Sequence, residues 1–284
     1  MKKIIFLFCF FLLLSTHMNL WAQANSVQIV GGSYYNSITA AWAGLGVISS
    51  AKVIEVQSSY TGANETYPIN LTAITGASAT NTITIRPASG ISSISITSSN
   101  ATGTLKLNQS SYVIIDGEAG GTGGAENLII ENTTTTGYTI QFNNYANNNT
   151  IKYCMVKGET VTANNTPTNG VIYFGGGTST GNSNNTINYC DIKDAGTGTT
   201  LPQVLIFAAM GSVNNSNNTI SNCNLYDFFS AGYNSYGMYL SSYNSAWTIS
   251  NYSFYQTAAM TATVGCTQYG IYLNTVTTGS FTVS

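Results

Sequence analysis

Few residues in this chain could do chemistry. Its 284 residues include ten Asp and Glu, eight Lys and Arg, and a single histidine, His17. With no histidine after position 17, Ser-His-Asp and Cys-His nucleophile pairs and His-bearing zinc sites are excluded from the remainder. Three carboxylates, Asp191, Asp194 and Asp227, recur near one corner of successive repeats. Two paired acids suit glycoside hydrolysis, where one protonates the leaving oxygen and the other attacks or activates water. Asp116, Glu118, Glu126 and Glu131 form a looser group, in which Asp116 reads as a turn residue before Gly117. The one arginine, Arg86, lies far from the Asp corner in sequence.

Tyrosines offer a different chemistry. An alternating strip reads Ile140-Gln-Phe142, Ile172-Tyr-Phe174, Leu205-Ile-Phe207, Met238-Tyr-Leu240 and Ile271-Tyr-Leu273. Its middle, outward position holds Gln141, Tyr173, Ile206, Tyr239 and Tyr272. If the units stack, Tyr173, Tyr239 and Tyr272 fall in one line. Such a stripe can stack on sugar rings or bind a protein, because Tyr couples apolar area to a hydroxyl. The competing readings are a stripe covered by inter-strand loops, or a ladder that only favours β structure.

Cys154, Cys190 and Cys223 share one repeat position, which Tyr252 takes in the next unit. They read as a column of small buried side chains, free Cys being among the most buried residue types. An odd column with parallel Cβ vectors disfavours disulfides, and cysteines one repeat apart are no zinc clamp. Cys266, in a loop-like stretch, is the likelier reactive thiol by position.

All of these positions are set by a repeat. Asn148-Asn-Thr-Ile-Lys-Tyr-Cys-Met-Val156 returns as Asn184-Asn-Thr-Ile-Asn-Tyr-Cys-Asp-Ile192 and Asn217-Asn-Thr-Ile-Ser-Asn-Cys-Asn-Leu225. A degraded copy is Ala246-Trp-Thr-Ile-Ser-Asn-Tyr-Ser-Phe254, and the chain stops inside a fifth, Ser280-Phe-Thr-Val-Ser284, which reads as a truncation in mid-repeat. The strip recurs at intervals of 32, 33, 33 and 33 residues (172−140, 205−172, 238−205, 271−238). A fixed period of this size means stacked units. The Asn, Thr, Ser, Gly and Ile content makes them strands and turns rather than helices. Three short strands per unit describe a coil of a β-helix, with Asn at its corners and an Asn ladder along the stack.

Residues 25–110 read as an N-terminal cap and first coils, and residues 111–284 as regular coils. Asn36-Ser-Ile-Thr-Ala-Ala-Trp-Ala-Gly-Leu45 predicts a short amphipathic helix, with Ile38, Trp42 and Leu45 on one face, closing the N-terminal end. Residues 1–24 read as a secretory leader: Lys2 and Lys3, the apolar run Ile4 to Leu14, and Ala22-Gln23-Ala24 as a cleavage site. The run is too short to span a bilayer. Without the leader the formal charge is 6−10 = −4, and so few cations exclude a nucleic-acid partner. Gly120-Gly-Thr-Gly-Gly124 fits no phosphate-loop fingerprint.

The leader, the cap helix, Thr82-Ile-Thr-Ile-Arg-Pro87, Tyr112-Val-Ile-Ile-Asp-Gly117 and the Asn-Asn-Thr-Ile-x-x-Cys-x-Ile units together resemble secreted bacterial right-handed parallel β-helix proteins. They are similar to large modular surface proteins of the type IX secretion kind. The resemblance implies an all-β, right-handed parallel β-helix solenoid. It also raises a pectate-lyase-like alternative, in which an acidic corner would hold Ca²⁺ for β-elimination. The absence of histidine after the leader departs from the polygalacturonase pattern. The expectation is a secreted or cell-surface, non-catalytic module, a rigid stalk or adhesin-like surface for a polysaccharide or surface protein. Tyr173, Tyr239 and Tyr272 would bind, with no metal or cofactor and no membrane span, as a monomer within a longer chain. The alternative is a polysaccharide lyase or glycoside hydrolase using Asp191, Asp194 and Asp227.

Overall fold

The computed structural model describes residues 25–175, 180–196, 201–209, 212–262, 265–274 and 280–284. The expected leader, residues 1–24, lies outside them. The chain winds into a parallel β-solenoid of about seven coils, each with three sides. Side one stacks seven strands in chain order: Ile69–Thr72, Leu105–Asn108, Ile140–Asn143, Ile172–Phe174, Val204–Ala208, Ser235–Leu240 and Gln268–Leu273. Side two runs from Lys52–Val56 through Ile83–Pro87, Val113–Asp116, Thr150–Lys152 and Thr186–Asn188. Side three contains Ile94–Ser98, Leu128–Asn132, Cys154–Gly158 and Asp191–Asp194. In the last two coils one bent strand, Thr219–Tyr226 or Thr248–Tyr255, serves sides two and three together.

The repeat explains this shape. In Thr-Ile-x the central Ile alone points inward, so Ile115, Ile151, Ile187, Ile220 and Ile249 stack as a column at most 1% exposed. The first residue of each motif copy, Asn148, Asn184, Asn217 and Ala246, turns the corner before it with φ between 55° and 57°. Asn tolerates this left-handed geometry better than other non-glycine residues. Tyr153, Tyr189, Asn222 and Asn251 turn the next corner in the same way, with φ of 50–52°.

The second Asn of the motif is the ladder. Asn149, Asn185 and Asn218 are buried, and each side-chain oxygen receives bonds from the coil before it. Asn149 donates from its backbone N and from Nδ2 to Asn185 Oδ1, both at 3.0 Å. Asn185 repeats this onto Asn218, at 2.9 and 3.1 Å. Trp247 ends the ladder, buried, with its indole N–H on Asn215 O at 2.9 Å. A second ladder joins Asn182, Asn215 and Asn244. Cys154, Cys190 and Cys223 form the expected buried, unbridged column, with Tyr252 paired next to Cys223.

The helix forms over Ile38–Gly44. Ser37 Oγ accepts from Ala40 N at 3.0 Å, and the Glu65 carboxylate accepts from Ile38 N at 2.5 Å and Thr39 N at 3.0 Å. Ile38, Ala41 and Trp42 are buried, joining an apolar cluster that runs from Val27 to Ile249.

The coils are less regular than their period suggests. On side two the coil spacings are 36, 33 and 29 residues (186−150, 219−186, 248−219). The expected alignment of Leu205-Ile-Phe207 with Ile172-Tyr-Phe174 is one residue out: Ile172 pairs with Ile206, and Tyr173 with Phe207. Ile206 therefore belongs to the core, not to the outward column.

Candidate functional site

On side one the outward column reads Asn70, Lys106, Gln141, Tyr173, Phe207, Tyr239 and Tyr272, one residue per coil. From Tyr173 onward the rings form a continuous series, with centroids 5.6, 5.6 and 5.1 Å apart and planes tilted by 36–40°. Val204, Tyr236 and Tyr269 form a second column beside it. Tyr236 stacks on Tyr269 at 5.2 Å and meets Tyr239 edge-on at 4.8 Å.

The three predicted binding tyrosines do not share one environment. Tyr239 is only 3% exposed, whereas Tyr173 and Tyr272 are half-buried. Tyr239 is enclosed by the rings of Phe207, Tyr236 and Tyr272, and its hydroxyl accepts from Asn274 Nδ2 at 2.9 Å. Tyr236 in turn is met by the segment between the strands Cys154–Gly158 and Ile172–Phe174. Gln203, fully buried, holds it: Oε1 accepts from Thr162 N and Ala163 N, both at 3.1 Å, and Nε2 donates to Asn164 O at 2.6 Å. Asn165 then accepts from Asn234 N at 2.8 Å and from the Tyr236 hydroxyl at 3.3 Å. Tyr239 is thus enclosed by its neighbours, while Tyr173 and Tyr272 keep part of their surface.

The column remains open where its rings begin. An open groove of about 520 Å³ has Lys106, Gln141 and Tyr173 along its floor. Tyr138, Thr162 and Asn169 are among its walls. Tyr138 stands 6.5 Å from Tyr173 at 51°, so two phenol rings flank the groove obliquely. Gln141 Nε2 reaches Gly175 O at 3.4 Å. Burial pushes the Lys106 ammonium pKa down. Inside a ladder each ring has neighbours along the stack. At Gln141 the series stops, so Tyr173 has no ring beneath it within the column.

The acidic corner divides in two. Asp191 points outward on side three, where it accepts from Asn224 Nδ2 at 2.8 Å and the Tyr226 hydroxyl at 3.1 Å. Its backbone N–H donates to Glu126 Oε1 at 2.9 Å. Burial, and then the Asp191 charge, push the Glu126 carboxyl up to about 7. Asp194 lies at the end of the strand, nine-tenths buried, with Oδ1 unpartnered. Burial, with the charges of Glu159 and Asp227, pushes it up to about 6. Asp227 is held by Thr257 N at 2.7 Å and the Thr257 hydroxyl at 2.8 Å. Among the described residues no group of three or more Asp, Glu, His or Cys is placed to hold a metal ion. Three of the four looser acids serve as ion-pair partners, Glu126 being the exception: Lys152 bridges Asp116 at 3.0 Å and Glu118 at 2.7 Å, and Lys157 meets Glu131 at 3.0 Å.

These carboxyls set a pH dependence. A carboxyl with a raised folded-state pKa favours the fold while protonated, so its contribution is full below the unfolded value and is lost as pH rises through the folded value. The urea midpoint is therefore expected to fall between about pH 4.5 and about 7 as Asp194 and Glu126 ionise. Glu126→Gln and Asp194→Asn should each flatten that decline. A midpoint that rises across this window, or the same slope in both variants, would contradict the assignment.

Burial pushes the Cys190 thiol well up, which suits packing rather than nucleophilic work. Cys266 is partly exposed, with Sγ 3.7 Å from Ala231 O. Among the described residues no helix is long and apolar enough to cross a membrane. Compared with protein-family models, curated proteins and solved structures, the chain gives no match.

Proposed function

We propose that the chain is a secreted or cell-surface, non-catalytic module: a rigid stalk whose side one presents the groove at Tyr173 to a glycan. The observation that carries this reading is the joining of two oblique phenol rings to amide and hydroxyl groups in one groove. Sugars offer apolar C–H faces ringed by hydroxyls, and such a lining meets both. The resemblance of the repeat to secreted bacterial β-helix proteins of the type IX kind supports the extracellular placement.

A lyase or hydrolase remains the second reading, favoured by one pair. A Glu126 carboxyl pushed up to about 7 beside Asp191 has the unequal ionisation that acid–base chemistry uses. Against it, the oxygens of Asp191 already accept from Asn224 and Tyr226.

The test titrates the protein against neutral and acidic polysaccharides, following binding and new reducing or unsaturated ends together, with Ca²⁺ and then with chelator. Binding without turnover is expected. Tyr173→Ala should weaken it about tenfold or more, as loss of a stacking anchor does. Tyr255→Ala, an exposed ring on side three, should leave it unchanged. Binding indifferent to Tyr173 would overturn the groove. Turnover lost in Glu126→Gln would replace the module with the enzyme.

A further inference from the structure

The sequence holds many asparagines but a single Asn-Gly pair, Asn169-Gly170. In such a pair the backbone nitrogen of the glycine can attack the side-chain amide before it, because glycine puts no Cβ in the way. Packing keeps the glycine in place. A Cβ at Gly170 would stand 2.9 Å from Phe207 Cβ and 3.0 Å from Phe207 N, so a side chain there would push the aromatic column and its strand aside.

The repeat guards its other asparagines. In the ladder the nitrogen that follows each Asn is held by the coil before: Thr186 N donates to Asn149 O and Thr219 N to Asn185 O, both at 2.8 Å. Asn182, Asn215 and Asn234, each followed by Ser, are guarded too. Ser183 N donates to Asn147 Oδ1 at 2.6 Å, Ser216 N to Ser183 Oγ at 2.9 Å and Ser235 N to Thr267 O at 3.0 Å. Asn169 differs. Gly170 N–H donates to Asn169 Oδ1 at 2.9 Å and, among the described residues, to no other group. The nitrogen thus rests against an oxygen one bond from the carbon it would attack, the kind of contact from which a ring closes. Asn169 is half-buried on the wall of the open groove, so water reaches it.

We propose that Asn169 is a self-modification site, where an amide on the groove wall converts to a carboxylate. Gly170 N gives its proton to water and bonds to Asn169 Cγ, the Cγ–Nδ2 bond breaks, and ammonia leaves. Water then opens the cyclic imide at either carbonyl. Breaking the new N–Cγ bond leaves aspartate. Breaking the original peptide bond leaves isoaspartate, with the main chain lengthened by a methylene. No oxidant or reductant takes part.

The change alters the groove. Asn169 Nδ2 donates to Thr136 O at 3.2 Å, and both residues line the groove. A carboxylate has no proton to give that carbonyl and is repelled by it, so the wall loses its tie. Lys106 is the one cation among the described residues lining the groove, and the new charge offsets it. The groove therefore turns against acidic sugars as the chain ages. That consequence rests on the glycan reading, whereas the modification itself does not.

The test holds the full chain in warm, mildly alkaline buffer and maps it by tandem mass spectrometry. Asn169 is expected to gain about one dalton, as both aspartate and isoaspartate, at least about tenfold faster than Asn185 or Asn234. Asn169→Gln should stay unmodified at this position. No change at Asn169, or change no faster than at Asn185, would overturn the proposal. Asn169→Asp should bind alginate, an acidic polysaccharide, about threefold or more weakly than Asn169→Gln at low salt. Equal binding would overturn the effect on the groove. If no form binds any polysaccharide, the glycan reading fails and the mass result alone decides the modification.

Discussion

Ile187→Asp is expected to unfold the middle of the solenoid. Ile187 is fully buried in the column between Ile151 and Ile220. Removing its hydrocarbon costs about 2–5 kcal/mol in cores of this kind. The carboxyl that replaces it finds no cation and no donor among the isoleucines, which adds several kcal/mol, whether it stays charged or takes up a proton. Whole domains are stable by about 5–15 kcal/mol, so one substitution removes much of the total. Each coil is stabilised by its neighbours, so the loss spreads to the adjoining units. The measurement is limited proteolysis with a circular dichroism melt, expected to show cleavage near this coil. Thr186→Asp, one residue away and facing outward, should change stability by no more than about 0.5 kcal/mol. An unchanged melt for Ile187→Asp would contradict the inward column.

Asn185→Ala should be nearly as damaging, although it removes no charge and little volume. Asn185 Oδ1 accepts from the backbone N and Nδ2 of Asn149. Its Nδ2 donates to Ala146 O at 2.8 Å and Asn218 Oδ1 at 3.1 Å. Alanine strands the Asn149 backbone N–H and the Ala146 carbonyl inside the protein, at about 1–3 kcal/mol for each orphan, while Asn149 Nδ2 keeps Ser110 O and Asn218 Oδ1 keeps the backbone N–H of residue 185. A total loss of about 3–5 kcal/mol follows, which for a chain of this size lowers the melting temperature by roughly 10 °C. Asn224→Ala removes an exposed bond to Asp191 and should cost about 0.5 kcal/mol or less. Equal effects of the two substitutions would mean that the ladder is decoration.

The stack was legible in the sequence because its motif combines three separable demands. Asn turns a left-handed corner, the next Asn pairs along the axis, and Ile fills the core. These demands placed the Cys column and Tyr252, and the cap-type residues before Ile38 placed the helix. What alternation could not resolve was side one. Leu205, Ile206 and Phe207 are all apolar and all buried, so pattern alone cannot say which faces out, and the register was read one residue wrong. The burial of Tyr239 was hidden for a different reason. It depends on the rings of Phe207 and Tyr272 in the adjoining coils and on the Asn274 side chain, 35 residues away and outside the periodic strip. Glu126 escaped notice as the partner of Asp191 because 65 residues separate them. Lys106 was within reach: continuing the outward column one unit toward the N-terminus from Gln141 arrives at it.

The direction of the backbone bonds has a mechanical consequence. Because the coils are joined by hydrogen bonds that run along the long axis, a pull on the two ends loads these ladders in series rather than in shear. Coils would then peel from the end one at a time, each at modest force, instead of the whole body yielding at once. A coil of 33 residues, as between Thr186 and Thr219 (219−186), releases roughly 110 Å of chain at about 3.3–3.6 Å per residue. A solenoid built this way is stiff against bending, yet under tension it lengthens in steps, one coil at a time.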